Sequence, residues 1–241
     1  MLDIRAVQLM VSEQLVMKNV VLAQSATNLQ GLSMFNLELL PDSAIEAEYI
    51  DGKRYYNTPD GNKYPSVTTI LSQLNAKSIA EWRARVGEEE AKKISTKAAT
   101  RGTKIHSIAE SFVLNKGIPS NIMPSHANMF APMKAFLEKN VDTVYGSEIG
   151  LYSDRLRLAG KCDLICNMLG LPTIVDFKTA SKLKEESYIK NYFLQATAYA
   201  LMTRERHKLP IEAFCILIST EHDGLQVFYK NIVEYLSLIH I

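Results

Sequence analysis

Asp163, Asp176 and Lys178 are spaced so that two carboxylates and an ammonium can meet at one spot. Asp176 and Lys178 close the run Thr173-Ile174-Val175-Asp176-Phe177-Lys178, whose β-branched residues read as a buried strand. Residues i and i+2 of a strand point to one face, so these two side chains emerge together. Asp163 ends Ala159-Gly160-Lys161-Cys162-Asp163, thirteen positions before Asp176, which leaves room for two antiparallel strands around a turn at Asn167–Leu171. Clustered carboxylates repel each other unless a cation sits between them. Hard divalent ions such as Mg²⁺ or Mn²⁺ take oxygen ligands, so one or two of these are the expected cofactor. Each string alone is weak: a lone Asp-Phe-Lys occurs by chance, and a lone helical His106 is more often a hydrogen-bonded histidine than a ligand. The weight lies in the conjunction and its order along the chain.

The elements that must carry these residues can be read in outline. Arg54-Tyr55-Tyr56 and Tyr64-Pro65-Ser66-Val67 flank Pro59-Asp60-Gly61-Asn62 and predict a β-hairpin within Glu46–Ser66. Ser66 or Thr68 can cap a helix through Leu74, with a second helix from about Ser78 to Ala99. Ile105, Ile108, Ala109, Phe112 and Val113 make the apolar stripe of a helix over Thr103–Leu114, with His106 and Glu110 on its edge. Asn115–Asn128 reads as a loop, followed by a helix over Ala131–Asn140. Strands are expected at Val144–Tyr152, Leu158–Asn167 and Pro172–Lys178. A helix over Ser187–Arg206 and strands Ile211–Thr220 and Gln226–Lys230 complete the pattern. Helix, three strands, helix, strand is an α/β arrangement, here with an added amino-terminal helical region.

The 241 residues are 47% hydrophobic, enough for a full core, and their net charge of +1 leaves any nucleic-acid contact to local patches. Lys77–Lys104 holds eight Lys/Arg against four Glu, and Lys178–Lys208 seven against three. Taken alone, such tracts are usually solvated helix faces. Cys162, Cys166 and Cys215 show neither Cys-x-x-Cys spacing nor a zinc or iron–sulfur pattern, and they read as small buried hydrophobes in a reducing compartment. No secretory leader and no apolar run of membrane-spanning length is present, so an intracellular protein with no membrane partner is expected.

With these residues in place, the chain resembles the PD-(D/E)XK nuclease superfamily in its RecB-like branch, over roughly Tyr64 to Lys230. Within that branch it is similar to the exonucleases of tailed phages and to the mitochondrial genome maintenance exonuclease. Tyr64 through Leu71 is similar to their leading segment. Arg101-Gly102-Thr103-Lys104-Ile105-His106 resembles the helix whose histidine binds metal. Gly160-Lys161-Cys162-Asp163 supplies the first acid, Asp176-Phe177-Lys178 the second acid and the lysine, and Gln195-x-x-x-Tyr199 the mark of the branch.

The resemblance implies a restriction-endonuclease-like core, α-β-β-β-α-β, and metal-assisted hydrolysis of phosphodiesters. His106, Asp163, Asp176 and the Phe177 carbonyl would hold Mg²⁺ or Mn²⁺, with Lys178, Gln195 and Tyr199 completing the catalytic set and Glu110 and Glu148 as outer acids. The expected partner is DNA, single-stranded with a free end. Lys92, Lys93, Lys97, Arg101, Lys104, Tyr188 and Tyr192 are candidate contacts to it. An iron–sulfur cluster, as in the CRISPR-associated and AddB-like relatives, is not expected. A phage-encoded protein in the host cytoplasm, working in replication, recombination or repair, follows from the same likeness.

The alternatives are an inactive DNA-binding module of this fold and the nuclease part of a larger helicase–nuclease, although no phosphate-loop string is present. The expected organisation is one nuclease domain over 34–235, with a hairpin and helical part at 34–97 and the catalytic core at 98–235. Residues 1–33 and 236–241 are expected to be non-native. The likeness starts near Met34, and Leu236–Ile241 matches the translation of a sequencing-transposon end.

Overall fold

The computed structural model describes residues 34–236. The expectations for 1–33 and for the end of the chain beyond Leu236 lie outside them. A six-stranded mixed sheet forms the centre, in the order β1 (Asn36–Leu37), β5 (Val141–Ser153), β6 (Leu158–Met168), β7 (Leu171–Ala180), β8 (Ala213–Thr220) and β9 (Leu225–Asn231). β5, β6 and β7 run antiparallel as a meander, β7 and β8 are parallel, and β9 returns antiparallel along β8. A separate antiparallel sheet contains β2 (Glu46–Ile50), β3 (Lys53–Asn57) and β4 (Lys63–Pro65). The helices are α1 (Val67–Leu74), α2 (Ala76–Val86), α3 (Glu88–Val113), α4 (Pro124–Asn140), α5 (Lys190–His207) and the short α6 (Val233–Leu236).

Both faces of the central sheet are covered, so its inner strands are apolar on both sides, and every residue of β8 is buried. Val175, Phe177, Cys215 and Leu217 face one core layer with Ile105, Phe112, Phe130 and Met133 of α3 and α4. Ile174, Phe214, Ile216 and Ile218 face the other, with Phe193, Ala196, Tyr199 and Met202 of α5. With α4 inserted between α3 and β5, the order α3, β5, β6, β7, α5, β8 gives the expected α-β-β-β-α-β, consistent with a restriction-endonuclease-like fold. No helix among the described residues is long and apolar enough to cross a membrane.

Three boundaries differ from the sequence reading. One helix, α3, runs unbroken through Ala99–Thr103, and the break comes earlier, at Gly87, whose φ of +86° suits glycine. The division expected at residues 97 and 98 therefore falls inside a continuous helix. The hairpin gains a third strand because Asp51 and Gly52, both with positive φ, turn β2 onto β3. α4 starts at Pro124, where the missing N–H costs nothing in a first turn, and it accommodates Pro132 in its interior.

The Ser66 side chain accepts a hydrogen bond from the Thr69 N–H and caps α1, as its position before the apolar run suggested. Cys162, Cys166 and Cys215 are free and fully buried, and burial pushes all three thiols up.

Candidate active site

β6 and β7 pair as far as Leu164 and Val175, and beyond that point Asp163 and Asp176 stand where the ladder ends. Asp163 instead uses its side chain: Oδ2 accepts a hydrogen bond from the Phe177 N–H at 2.8 Å. On its other side β6 meets β5, where Ser147 pairs with Leu164 and Ile149 with Cys162. Glu148 thus faces Asp163 across the strands, with a φ of +51° that is uncommon for a residue with a side chain. Like charges directly opposite on neighbouring strands destabilise a sheet. This arrangement favours a cation between them.

α3 brings His106 over this spot. Its Nε2 lies 2.7 Å from the Phe177 carbonyl, which can only accept, so Nε2 donates. Nδ1 then faces Asp163 Oδ2 at 3.5 Å and Glu148 Oε1 at 3.7 Å. A second hydrogen bond that orients the ring is the usual accompaniment of a ligating histidine. His106, Glu148 and Asp163 each offer one ligand atom within 4.8 Å of the others. Glu148 therefore belongs to the inner cluster, whereas Glu110 lies one turn further along α3 and outside it. The Phe177 carbonyl is bonded to His106 in this arrangement.

Asp176 and Lys178 project from β7 and form an ion pair, with 2% and 20% of their side chains exposed. Apart from that ammonium, neither Asp176 oxygen has a hydrogen-bond partner among the described residues. A buried carboxylate with so few partners is suited to a cation, and the neighbouring His106, Glu148 and Asp163 could hold a metal ion.

The charges shift accordingly. Burial and then the Asp176 charge push the Asp163 carboxyl up to about 6. Burial works against the His106 charge but is outweighed by Glu148 and Asp163, so its pKa is raised. Burial likewise opposes the Lys178 charge, and Asp176 and Asp163 overcome it. Lys178 is therefore a cation at neutral pH.

α5 lines the opposite face of the site. Tyr192, Gln195 and Tyr199 are three and four residues apart and share one side of that helix. Tyr192 lies under the Lys178 ammonium, with its ring centroid 5.1 Å away. Gln195 is buried, and Tyr199 is buried against β6. A Cβ on Gly160 would stand 2.7 Å from the Tyr199 hydroxyl, so that glycine admits the ring.

The remaining candidates are spread along the surface. Lys92, Lys93, Lys97 and Lys104 are exposed on α3, and Tyr188 is 75% exposed ahead of α5. Arg101 is buried and paired with Glu221, which also lies 3.4 Å from Lys97. Glu221 carried no sequence signal, since only the end of β8 brings it to α3.

Residues 127–234 match the family model of the PD-(D/E)XK nuclease superfamily. No curated protein matches the chain. Among solved structures, a candidate exonuclease from Eubacterium rectale is similar at 13% identity with a TM-score of 0.41. The likeness covers 59% of this chain and 63% of that one.

Proposed function

We propose that this protein is a metal-dependent deoxyribonuclease that acts from free ends of single-stranded DNA. The observation that carries the reading is Asp176. It is a buried carboxylate paired with the Lys178 ammonium and otherwise without a hydrogen-bond partner among the described residues, next to the His106, Glu148 and Asp163 cluster. These are the parts that hydrolysis of a phosphodiester needs.

Asp163, Asp176, Glu148 and the Nδ1 of His106 would hold the ion. A divalent cation held there would acidify a water molecule and shield negative charge on the phosphate. Lys178, placed beside Asp176, would stabilise negative charge developing on the phosphate. Gln195 and Tyr199 support the same face from α5. A role in phage replication, recombination or repair fits the resemblance of the motifs.

The test is cleavage of end-labelled linear DNA, single- and double-stranded, with Mg²⁺, with Mn²⁺ and with EDTA. Metal-dependent release of short products from single strands is expected. Cleavage that persists in EDTA, or binding without cleavage under any metal, overturns the reading.

A further inference from the structure

We infer that Tyr192 is a positioning residue for Lys178, its ring face keeping the ammonium in place once a metal ion draws Asp176 away from it. This rests on the nuclease reading above. Among the described residues, Lys178 Nζ touches two groups of opposite kinds: the Asp176 carboxylate, and the Tyr192 ring with its centroid 5.1 Å away. The carboxylate cannot serve the lysine and a metal ion equally, because both compete for the same oxygens. A lysine with a four-carbon stem and no other partner would then swing toward solvent. An aromatic face within about 6 Å attracts a cation without offering a metal ligand.

The ring is itself well anchored. Tyr192 lies in the first turn of α5, its N–H bonded to the Ile189 carbonyl at 2.9 Å. Its neighbours Ile189 and Phe193 are 1% and 2% exposed and fix that turn on the core. Tyr188, one turn earlier, is in solvent and cannot substitute.

The experiment compares wild type, Y192F and Y192L by steady-state cleavage with Mn²⁺, by DNA binding in EDTA and by the NMR signal of the Lys178 ε-methylene. Y192L should lose kcat by roughly 2- to 30-fold with KM and metal-free DNA affinity unchanged, the scale of one cation–π contact. Y192F, which keeps the ring, should restore kcat. The ε-methylene should be shifted upfield by the ring in wild type and in Y192F.

Equal kcat in wild type and Y192L overturns the inference. So does a loss in Y192F as large as in Y192L, which would make the hydroxyl responsible, or a loss of DNA affinity in Y192L, which would make Tyr192 a DNA contact. Should Y192L not fold, the wild-type spectrum decides alone, since an unshifted ε-methylene removes the contact. Wild-type protein without metal-dependent cleavage would sink the nuclease reading instead, and the NMR signal would still report on the pair.

Discussion

Removing either charge from the Asp176–Lys178 pair should have different consequences for activity and for stability. Asp176→Ala and Lys178→Ala are both expected to abolish cleavage. Asp176→Ala should also lower the melting temperature, because it leaves the Lys178 ammonium enclosed without its counter-ion. Asp163→Asn should behave in the opposite way in EDTA. The folded Asp163 carboxyl sits at about 6, above its value in an unfolded chain, so the native state binds more protons between about pH 4 and 6. Stability therefore falls as pH rises through that window and stays lower above it. The amide at 163 escapes this loss, so near pH 7.5 the variant should exceed wild type by something on the order of 2 kcal/mol. Mg²⁺ or Mn²⁺ should raise the wild-type melting temperature and close the gap. Equal stability of the two proteins at pH 4 and pH 7.5 would mean that Asp163 is not crowded by its neighbours. His106→Ala should leave the fold intact and weaken the metal-induced shift, because its Nδ1 faces the two carboxylates. Ca²⁺ should support DNA binding but little turnover, since it takes more ligands at longer distances.

At the scale of elements, β6 and α5 are locked together through Gly160. Gly160→Ala places a methyl carbon 2.7 Å from the Tyr199 hydroxyl and 3.0 Å from its Cε1. One side must give way, which is expected to cost about 1–3 kcal/mol in urea unfolding and to reduce cleavage. Adding Tyr199→Phe should recover part of that loss, since it removes the closer of the two atoms, and a purely additive double mutant would rule the contact out. The glycine was legible in the sequence only as a member of a motif; its steric role appears when the helix is laid on the strand. The acid–acid–lysine set was legible because strand alternation is local, and so was the cap on α1. Glu148, expected as an outer acid, comes within 4.8 Å of the His106 and Asp163 ligand atoms from a residue with a positive φ that nothing in Ser147-Glu148-Ile149 announces. The helix break at Gly87 was missed in favour of one near Ala99–Thr103, where Gly102 sits inside α3 without interrupting it. Glu221 and Arg101 are 120 residues apart, so their pairing had no sequence signal at all.

At the scale of the whole molecule, the basic tract Lys77–Lys104 does not serve to build the core. α2 has no buried residue, and in the first half of α3 Ala91 alone is buried, so Lys92, Lys93 and Lys97 stand in solvent. Their ion pairs, Lys93 with Glu90 at 3.9 Å and Lys97 with Glu221 at 3.4 Å, are exposed enough on the lysine side to exchange readily for phosphates. A cationic surface of this kind binds a strand by releasing counter-ions, so affinity for single-stranded DNA should fall steeply as salt rises. Reversing all three charges, in K92E/K93E/K97E, should weaken binding and flatten that salt dependence. The metal-induced rise in melting temperature should persist, because none of the three touches the carboxylate cluster. If the strand is threaded from its end along this surface, covalently closed circular single-stranded DNA should resist cleavage while a linear strand of equal length is degraded. Equal rates on the two would make the protein an endonuclease, and α2 and α3 would then be a docking face for the middle of a strand rather than a guide for its end.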